Sequence, residues 1–151
     1  RDRDQIVPVV RETILLAHAP ESGGPGVDRQ TVFIRMGRDG HFRTDALINN
    51  RRIHFLVDTG ASRVVLTEAD AHRLGFRAKD LNFRDKVSTA NGVTHVAQVS
   101  LRVVKIGSLV VSNVPASVIE GEGLTQSLLG MSYLSKLSRF SVNKNTLVLE
   151  K

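Results

Sequence analysis

The stretch Phe55-Leu56-Val57-Asp58-Thr59-Gly60-Ala61-Ser62 runs an apolar strand directly into a carboxylic acid. A carboxylate beside an apolar core loses several kcal/mol of hydration unless it accepts hydrogen bonds or shares a proton. Gly60 can take a positive φ and turn the chain sharply, which lets backbone amides approach the carboxylate. Thr59 supplies a hydroxyl that can bond to nearby backbone. By itself the stretch is equally compatible with a chemically active Asp58 and with an Asp that only caps a turn.

The sequence around this stretch predicts short strands and tight turns. The pair Asn49-Asn50 tolerates left-handed backbone and therefore suits a hairpin between two of these strands. Farther along, Val99, Leu101 and Val103 alternate with polar residues, as in a strand with one buried face. Strands are predicted at residues 31–36, 41–48, 51–57, 93–106, 108–119 and 146–149.

Only two segments have the spacing of a helix. The first is predicted to begin at Thr67, whose hydroxyl can cap the amide near Asp70, and to end at Gly75. The second is predicted over residues 131–138, where apolar residues recur at helical intervals. The fold class predicted is therefore mostly β with one or two short helices.

Length and composition indicate one folded domain with a short extension. The chain has 151 residues, 41% of them hydrophobic and 24% charged, which is typical of a single soluble domain. Residues 17–30 are rich in Gly, Pro and Ser and predict a flexible connector. We therefore divide the chain into an N-terminal extension, 1–30, and a domain, 31–151. The extension is a candidate stalk or propeptide remnant, and the segment upstream of Arg1 is a candidate membrane anchor.

Charge and composition argue against several functions. The formal net charge is +6, but the 21 Lys and Arg residues are spread along the chain, and aromatic residues are few, so we expect no nucleic-acid partner. The sequence has no Cys and no His-Glu-x-x-His motif, and its five histidines are dispersed, so no metal site is predicted. No complete nucleotide-binding motif occurs either. We therefore expect no cofactor.

Three motifs in order resemble those of one family. Asp58-Thr59-Gly60-Ala61 resembles the active-site motif of the aspartic proteases. Thr89-Ala90-Asn91-Gly92 resembles the flap of the bacterial single-domain retropepsin-like enzymes, and Leu128-Leu129-Gly130 resembles their second signature, which lies beneath the active-site loop. The resemblance extends over residues 31–151. It implies a retropepsin-like closed barrel or sandwich with a flap hairpin.

The resemblance also implies a mechanism and an assembly. Aspartic proteases use two carboxylates that share a proton and activate a water molecule. This chain has nine Asp, of which only Asp58 precedes Thr-Gly or Ser-Gly. The second carboxylate is therefore expected from another copy, in a homodimer with one Asp58 per subunit and with Thr59 bonding across the two-fold axis. The substrate would be an extended peptide held under the flap.

Other functions remain open from the sequence. The same fold can serve as a catalytically silent dimerisation or peptide-binding module, and a nucleic-acid-binding β domain is a weaker alternative. Because the bacterial enzymes that this chain resembles often carry an N-terminal membrane segment, the resemblance implies a location in the periplasm or on the inner membrane facing it.

Overall fold

The structure is a computed structural model that describes residues 30–89 and 92–151. The predicted extension, apart from Gln30, lies outside the described residues, as do Ala90 and Asn91 of the predicted flap. The division of the chain at Gln30 therefore stays a prediction.

Six strands close into a barrel. The described residues form ten strands, with the bounds β1 Thr31–Arg35, β2 Arg43–Ile48, β3 Arg51–Val57, β4 Val64–Leu66, β5 Asp85–Thr89, β6 Gly92–Ile106, β7 Leu109–Ile119, β8 Ser127–Leu129, β9 Arg139–Asn143 and β10 Thr146–Glu150. Around the barrel the order is β2-β3-β8-β4-β7-β6, and β2 pairs with β6 to complete the circle. A further strand, β5, forms a hairpin with the first part of the long β6. This arrangement confirms the mostly-β, closed-barrel prediction.

The predicted hairpin turn at Asn49-Asn50 is confirmed. Both residues have positive φ angles, 52° and 71°, and they connect β2 to β3 in an antiparallel pair. This is the turn geometry that matches the twist of adjoining strands. The same pairing fixes the register of β3, which ends at Val57, immediately before Asp58.

One of the two predicted helices is confirmed and the other is shorter than predicted. Helix α1, Glu68–Arg73, begins after Thr67, whose side chain accepts a hydrogen bond from the amide of Asp70. Helix α2 spans only Met131–Leu134 instead of 131–138. The chain continues in hydrogen-bonded turns, in which the amide of Leu137 donates to the oxygen of Leu134 at 3.1 Å and Leu137 is still buried, so the apolar spacing did not require a longer helix. A 3-10 turn, Ala78–Asp80, was not predicted.

A second, three-stranded sheet packs against the barrel. Its order is β1-β10-β9, and all three strands are antiparallel. The inward side chains of this sheet, among them Ile34, Leu147 and Leu149, belong to the same buried apolar cluster as the barrel interior. The N- and C-terminal strands of the domain are thus paired with each other within one chain. No helix among the described residues is long and apolar enough to cross a membrane.

Candidate active site

Asp58 lies at the end of β3, where the barrel brings two chain segments side by side. Strand β3 pairs in parallel with β8, and Val57 is opposite Leu129. The amide of Asp58 donates to the carbonyl oxygen of Leu129 at 3.1 Å. The second signature motif therefore holds the backbone of the first directly, so the predicted Asp58 and Leu128-Leu129-Gly130 are brought together.

The side chain of Asp58 is buried but not isolated from donors. Its residue is only 3% exposed, and its Oδ1 atom accepts a hydrogen bond from the amide of Gly60 at 2.9 Å. Burial raises the pKa of this carboxyl above its ordinary value, while the amides of Gly60 and Ala61 and the nearby charge of His41 lower it. Burial is the dominant cause, so the protonated form is favoured more than in water. A carboxyl of this kind can keep or take up a proton during a reaction.

Gly60 makes the predicted approach to the Asp58 carboxylate. Its amide donates to the Oδ1 atom of Asp58, as expected. The amide of Ala61 also donates to the backbone oxygen of Asp58, at 3.1 Å. This local hydrogen bond bends the chain directly after Asp58.

The hydroxyl of Thr59 has no partner within the described chain. Its Oγ1 atom is buried and makes no hydrogen bond to any residue in 30–89 or 92–151. The expectation from the residue type, a bond to nearby backbone, was therefore wrong. Buried hydroxyls are nearly always bonded, because leaving one unpaired costs about 1–3 kcal/mol.

Gly130 is required by a very close contact under the loop. A Cβ atom placed on Gly130 would lie 2.2 Å from the carbonyl oxygen of Arg63 and 2.6 Å from that of Ala61. The next residue, Met131, donates its amide to the Ala61 oxygen at 2.8 Å. The absence of a side chain at Gly130 is what allows helix α2 to support the active-site loop at this distance.

Ser132 is a supporting residue that sequence reasoning missed. Its Oγ atom accepts from the amide of Val64 at 2.8 Å and donates to the carbonyl oxygen of Pro115 at 2.6 Å. It thus joins helix α2 to β4 and β7. The available signal was a polar residue in the first turn of a helix that directly follows Gly130.

A cleft of about 920 Å³ opens above Asp58. The active-site loop forms its floor, with Gly60 and Ala61 beside Asp58, and the β5–β6 hairpin forms one side. Thr89 and Gly92 of the predicted flap line the cleft and are opposite each other in the hairpin register, and the Thr89 hydroxyl donates to the Gly92 oxygen at 2.7 Å. Gly92 has a φ of 109°, which favours glycine at the start of β6.

Part of the cleft wall is apolar. Leu56, Leu124 and Leu128 form a small buried cluster apart from the main core, and Val65 and Ile119 pack against it. All of these except Leu56 line the cleft. The site can therefore accept an apolar group next to a carboxyl. No cluster of His, Cys, Asp or Glu suited to a metal ion occurs among the described residues.

The family comparison agrees with this geometry. The profile of the family described as "gag-polyprotein putative aspartyl protease" matches residues 44–136. That range contains the Asp58 loop, the β5–β6 hairpin and Gly130. The chain belongs to this aspartyl protease family.

Two curated bacterial relatives are similar over most of the chain. A protein of Sinorhizobium sp is 40% identical over 121 residues, which cover 80% of this chain and 52% of that protein. A protein of Rickettsia prowazekii is 41% identical over 118 residues, covering 78% of this chain and 50% of that one. Both are named as uncharacterized. The chain spans about half the length of these relatives.

Solved structures show the same fold. A retropepsin-like aspartic protease from Rickettsia conorii is 40% identical, with a TM-score of 0.75, and the match covers 82% of this chain and 92% of that one. The EIAV protease complexed with the inhibitor HBY-793 is 22% identical with a TM-score of 0.58, covering 73% and 100% of the two chains, and supports the fold alone. The fold is thus that of a bacterial retropepsin-like protease, as the sequence motifs predicted.

The contact at Gly130 generates a stability prediction. Gly130→Ala should lower the free energy of unfolding by more than about 2 kcal/mol, because the new methyl group meets backbone oxygens that cannot move independently. The φ of Gly130 is −99°, which any residue can adopt, so the effect is steric. Gly123→Ala is the matched control: a Cβ there meets nothing within 4 Å, and its change should stay within about 0.5 kcal/mol. Urea unfolding of both variants measures the difference, and equal stabilities would contradict the contact.

The buried carboxyl generates a second prediction, in which stability depends on pH. Because the pKa of Asp58 in the fold lies above its ordinary value of 3.8, ionisation destabilises the folded state at neutral pH. Asp58→Asn should therefore raise the Tm at pH 7 by about 2–4 °C, the shift that roughly 1 kcal/mol produces in a chain of this size. The gain should shrink as the pH falls through the raised pKa of the folded state, and it should vanish below pH 3.8, where Asp58 is protonated in both states.

Asp39→Asn is the opposite control for that experiment. Asp39 is exposed, and its hydrogen-bonded pair with Arg43 lowers the pKa of its carboxyl to about 2. Its substitution should reduce stability slightly at pH 7, with the loss vanishing only as the pH falls toward 2. If Asp58→Asn behaved like Asp39→Asn, the Asp58 carboxyl would not be destabilised by burial.

Proposed function

We propose that the chain is a homodimeric aspartic endopeptidase, in which the Asp58 carboxyls of two subunits activate one water molecule. One carboxylate would take a proton from the water, and the other, protonated, would donate a hydrogen bond to the carbonyl oxygen of the scissile peptide bond. The observation that carries the proposal is the buried Asp58 carboxyl at the floor of a cleft, in a chain of this family.

The charges around Asp58 support the need for a second copy. Its pKa is raised by burial and lowered by the amides of Gly60 and Ala61 and by His41. No second carboxylate of the described chain acts on it. The other acids of the cleft are engaged elsewhere: Asp85 accepts a hydrogen bond from Gln98, and Glu120 lies 3.6 Å from His95. Residues 30–89 and 92–151 thus offer no second carboxyl for a proton-sharing pair, which supports a carboxyl from another copy.

Thr59 supports the same assembly. Its buried, unpaired Oγ1 atom lies directly after Asp58, where a second copy related by a two-fold axis would bring its own Thr59. A hydrogen bond between the two loops would satisfy both hydroxyls and fix the distance between the two carboxyls. The exposed β5–β6 hairpins would close over an extended peptide.

The activity test compares the wild type with Asp58→Asn on a peptide library. We expect cleavage by the wild type and a loss of at least a hundredfold in the variant, because asparagine can neither accept the proton of the water nor share it. The rate should have an acid-shifted or bell-shaped pH profile, as expected for two coupled carboxyls. Cleavage at the wild-type rate by Asp58→Asn would refute the assignment, and peptide binding without cleavage by the wild type would favour the catalytically silent module.

A mixing experiment tests whether the site is shared. If each active site needs two Asp58 residues, a ninefold excess of Asp58→Asn chains should reduce the wild-type activity to about a tenth, because nearly all wild-type chains then pair with inactive ones. Gly123→Ala chains in the same excess should not reduce it. An activity proportional to the wild-type chain alone would show that one subunit suffices.

The Thr59 hydroxyl gives a separate prediction. Thr59→Val keeps the shape of the side chain and removes the hydroxyl, so the dissociation constant of the dimer should rise about tenfold, the effect of roughly 1.4 kcal/mol. The free energy of unfolding of the protomer should not fall, since the hydroxyl has no partner in the described chain. Thr59→Ser should keep most of the affinity. Sedimentation equilibrium measures the dimer dissociation constants of both variants, and urea unfolding measures the stability of the protomer. An unchanged dimer affinity in Thr59→Val would place the hydroxyl away from the interface.

The location in the periplasm or on the inner membrane stays a proposal from the family resemblance. Fractionation of cells expressing the full-length protein tests it, with release into the periplasmic or membrane fraction expected.

A further inference from the structure

Arg63 is a cation in the cleft whose donors are not satisfied by the chain. It comes two residues after Ala61 of the active-site loop, directly before β4, and lines the cleft that contains Asp58. Its Nη2 atom donates to the carbonyl oxygen of Ala116 at 3.4 Å, the long limit of a hydrogen bond. Its Nε atom is buried and has no partner within residues 30–89 and 92–151. A guanidinium has five N–H donors, and the described chain supplies an acceptor for one of them, at this long distance.

The neighbouring charges do not neutralise Arg63. The ion pairs found in the described part of the chain use other cations, and Arg63 takes part in none of them. Arg63 is not among the groups that act on the pKa of Asp58, so the catalytic carboxyl is not its partner. A partly buried guanidinium without a counter-ion is destabilised by the loss of hydration, and an incoming carboxylate would offset that loss.

The other charged groups of the cleft differ from Arg63, because each of them has a partner or is exposed to solvent. The carboxylate of Asp85 accepts from Gln98 Nε2 at 3.1 Å, and Gln98 in turn accepts from Ser117 at 3.0 Å. Glu120 has His95 beside it. Lys86, on the hairpin, is exposed to solvent. Arg63 is therefore the partly buried charge in the described cleft that lacks a protein partner of opposite charge.

We propose that Arg63 is a specificity-determining residue that selects a peptide with an Asp or Glu side chain close to the scissile bond. This inference rests on the proposed function, because it requires an extended peptide over Asp58. The planar guanidinium can bind a carboxylate through two parallel hydrogen bonds, which a neutral amide side chain cannot match. The apolar wall formed by Val65, Leu124 and Leu128 would accept an apolar side chain on the same peptide. The preferred substrate thus combines apolar residues at the cleaved bond with one acidic residue beside it.

The test measures peptide binding and cleavage separately. The probes are octapeptides with acetylated and amidated ends and apolar residues at the central bond, each with Glu or Gln at one of the outer positions. Binding is measured to Asp58→Asn chains, which hold peptides without cutting them. At one or more positions we expect Glu peptides to bind about tenfold more tightly than the matching Gln peptides, and to be cleaved by the wild type with a higher kcat/KM through a lower KM.

Variants of Arg63 assign the preference. Arg63→Gln, in the wild-type and Asp58→Asn backgrounds, should bring the Glu-to-Gln ratio to about one. Arg63→Lys should keep part of the preference, and Arg63→Glu should reverse it in favour of the Gln peptides. Arg102→Gln is the matched control, because Arg102 is an exposed cation on β6 outside the cleft, and it should leave the ratio unchanged. Thermal unfolding shows whether each variant is folded.

The outcomes separate this inference from the proposed function. If the wild type cleaves the peptides but the ratio does not respond to Arg63→Gln, Arg63 does not select an acidic residue, while the protease assignment stands. If Arg63→Gln instead weakens the dimer and leaves the ratio unchanged, Arg63 binds a carboxylate of the partner subunit, which also overturns the inference. If Asp58→Asn chains bind no peptide and the wild type cuts none, both proposals fail.

Discussion

The active-site loop depends on the backbone contact between two chain segments that are about seventy residues apart. Asp58 donates its amide to Leu129, Met131 donates to Ala61, and Gly130 lies so close to the loop that a single methyl group would overlap backbone oxygens. Because these contacts join main-chain atoms, they fix the loop without depending on side-chain rotamers. The barrel pairing of β3 with β8 brings the two segments together, and Ser132 holds the helix that follows.

That rigid support explains how a buried acid can be kept in the structure. An ionised carboxyl at 3% exposure is destabilising, and here the amides of Gly60 and Ala61 compensate only part of the cost. Because the loop cannot relax away from the apolar strands, the carboxyl remains where burial raises its pKa. The fold thus loses some stability at neutral pH and keeps a group that exchanges a proton readily, which is a common relation between stability and activity.

The sequence predicted those features that depend on local chemistry. The Asn49-Asn50 turn, the Thr67 cap and the juxtaposition of Asp58 with Gly130 could all be read from residue types or from the family motifs. Short strands without clear alternation, β4, β5, β8 and β9, were not predicted, because long-range pairing rather than local pattern defines them. The unpaired Arg63 could not be predicted either, since it is identified by what surrounds it and not by any motif.

The three-stranded sheet has a consequence for how the two copies would associate. In this chain β10 is already bonded on both sides, by β1 and by β9, so the C-terminal strand has no free edge to lend to another subunit. Both edges of β10 are hydrogen-bonded within the chain. In the proposed dimer, a protomer that separates from its partner would therefore keep all the hydrogen bonds of β10. Under that proposal the cleavage rate would rise with the local concentration of the chain, and a dilute protomer would stay folded but inactive.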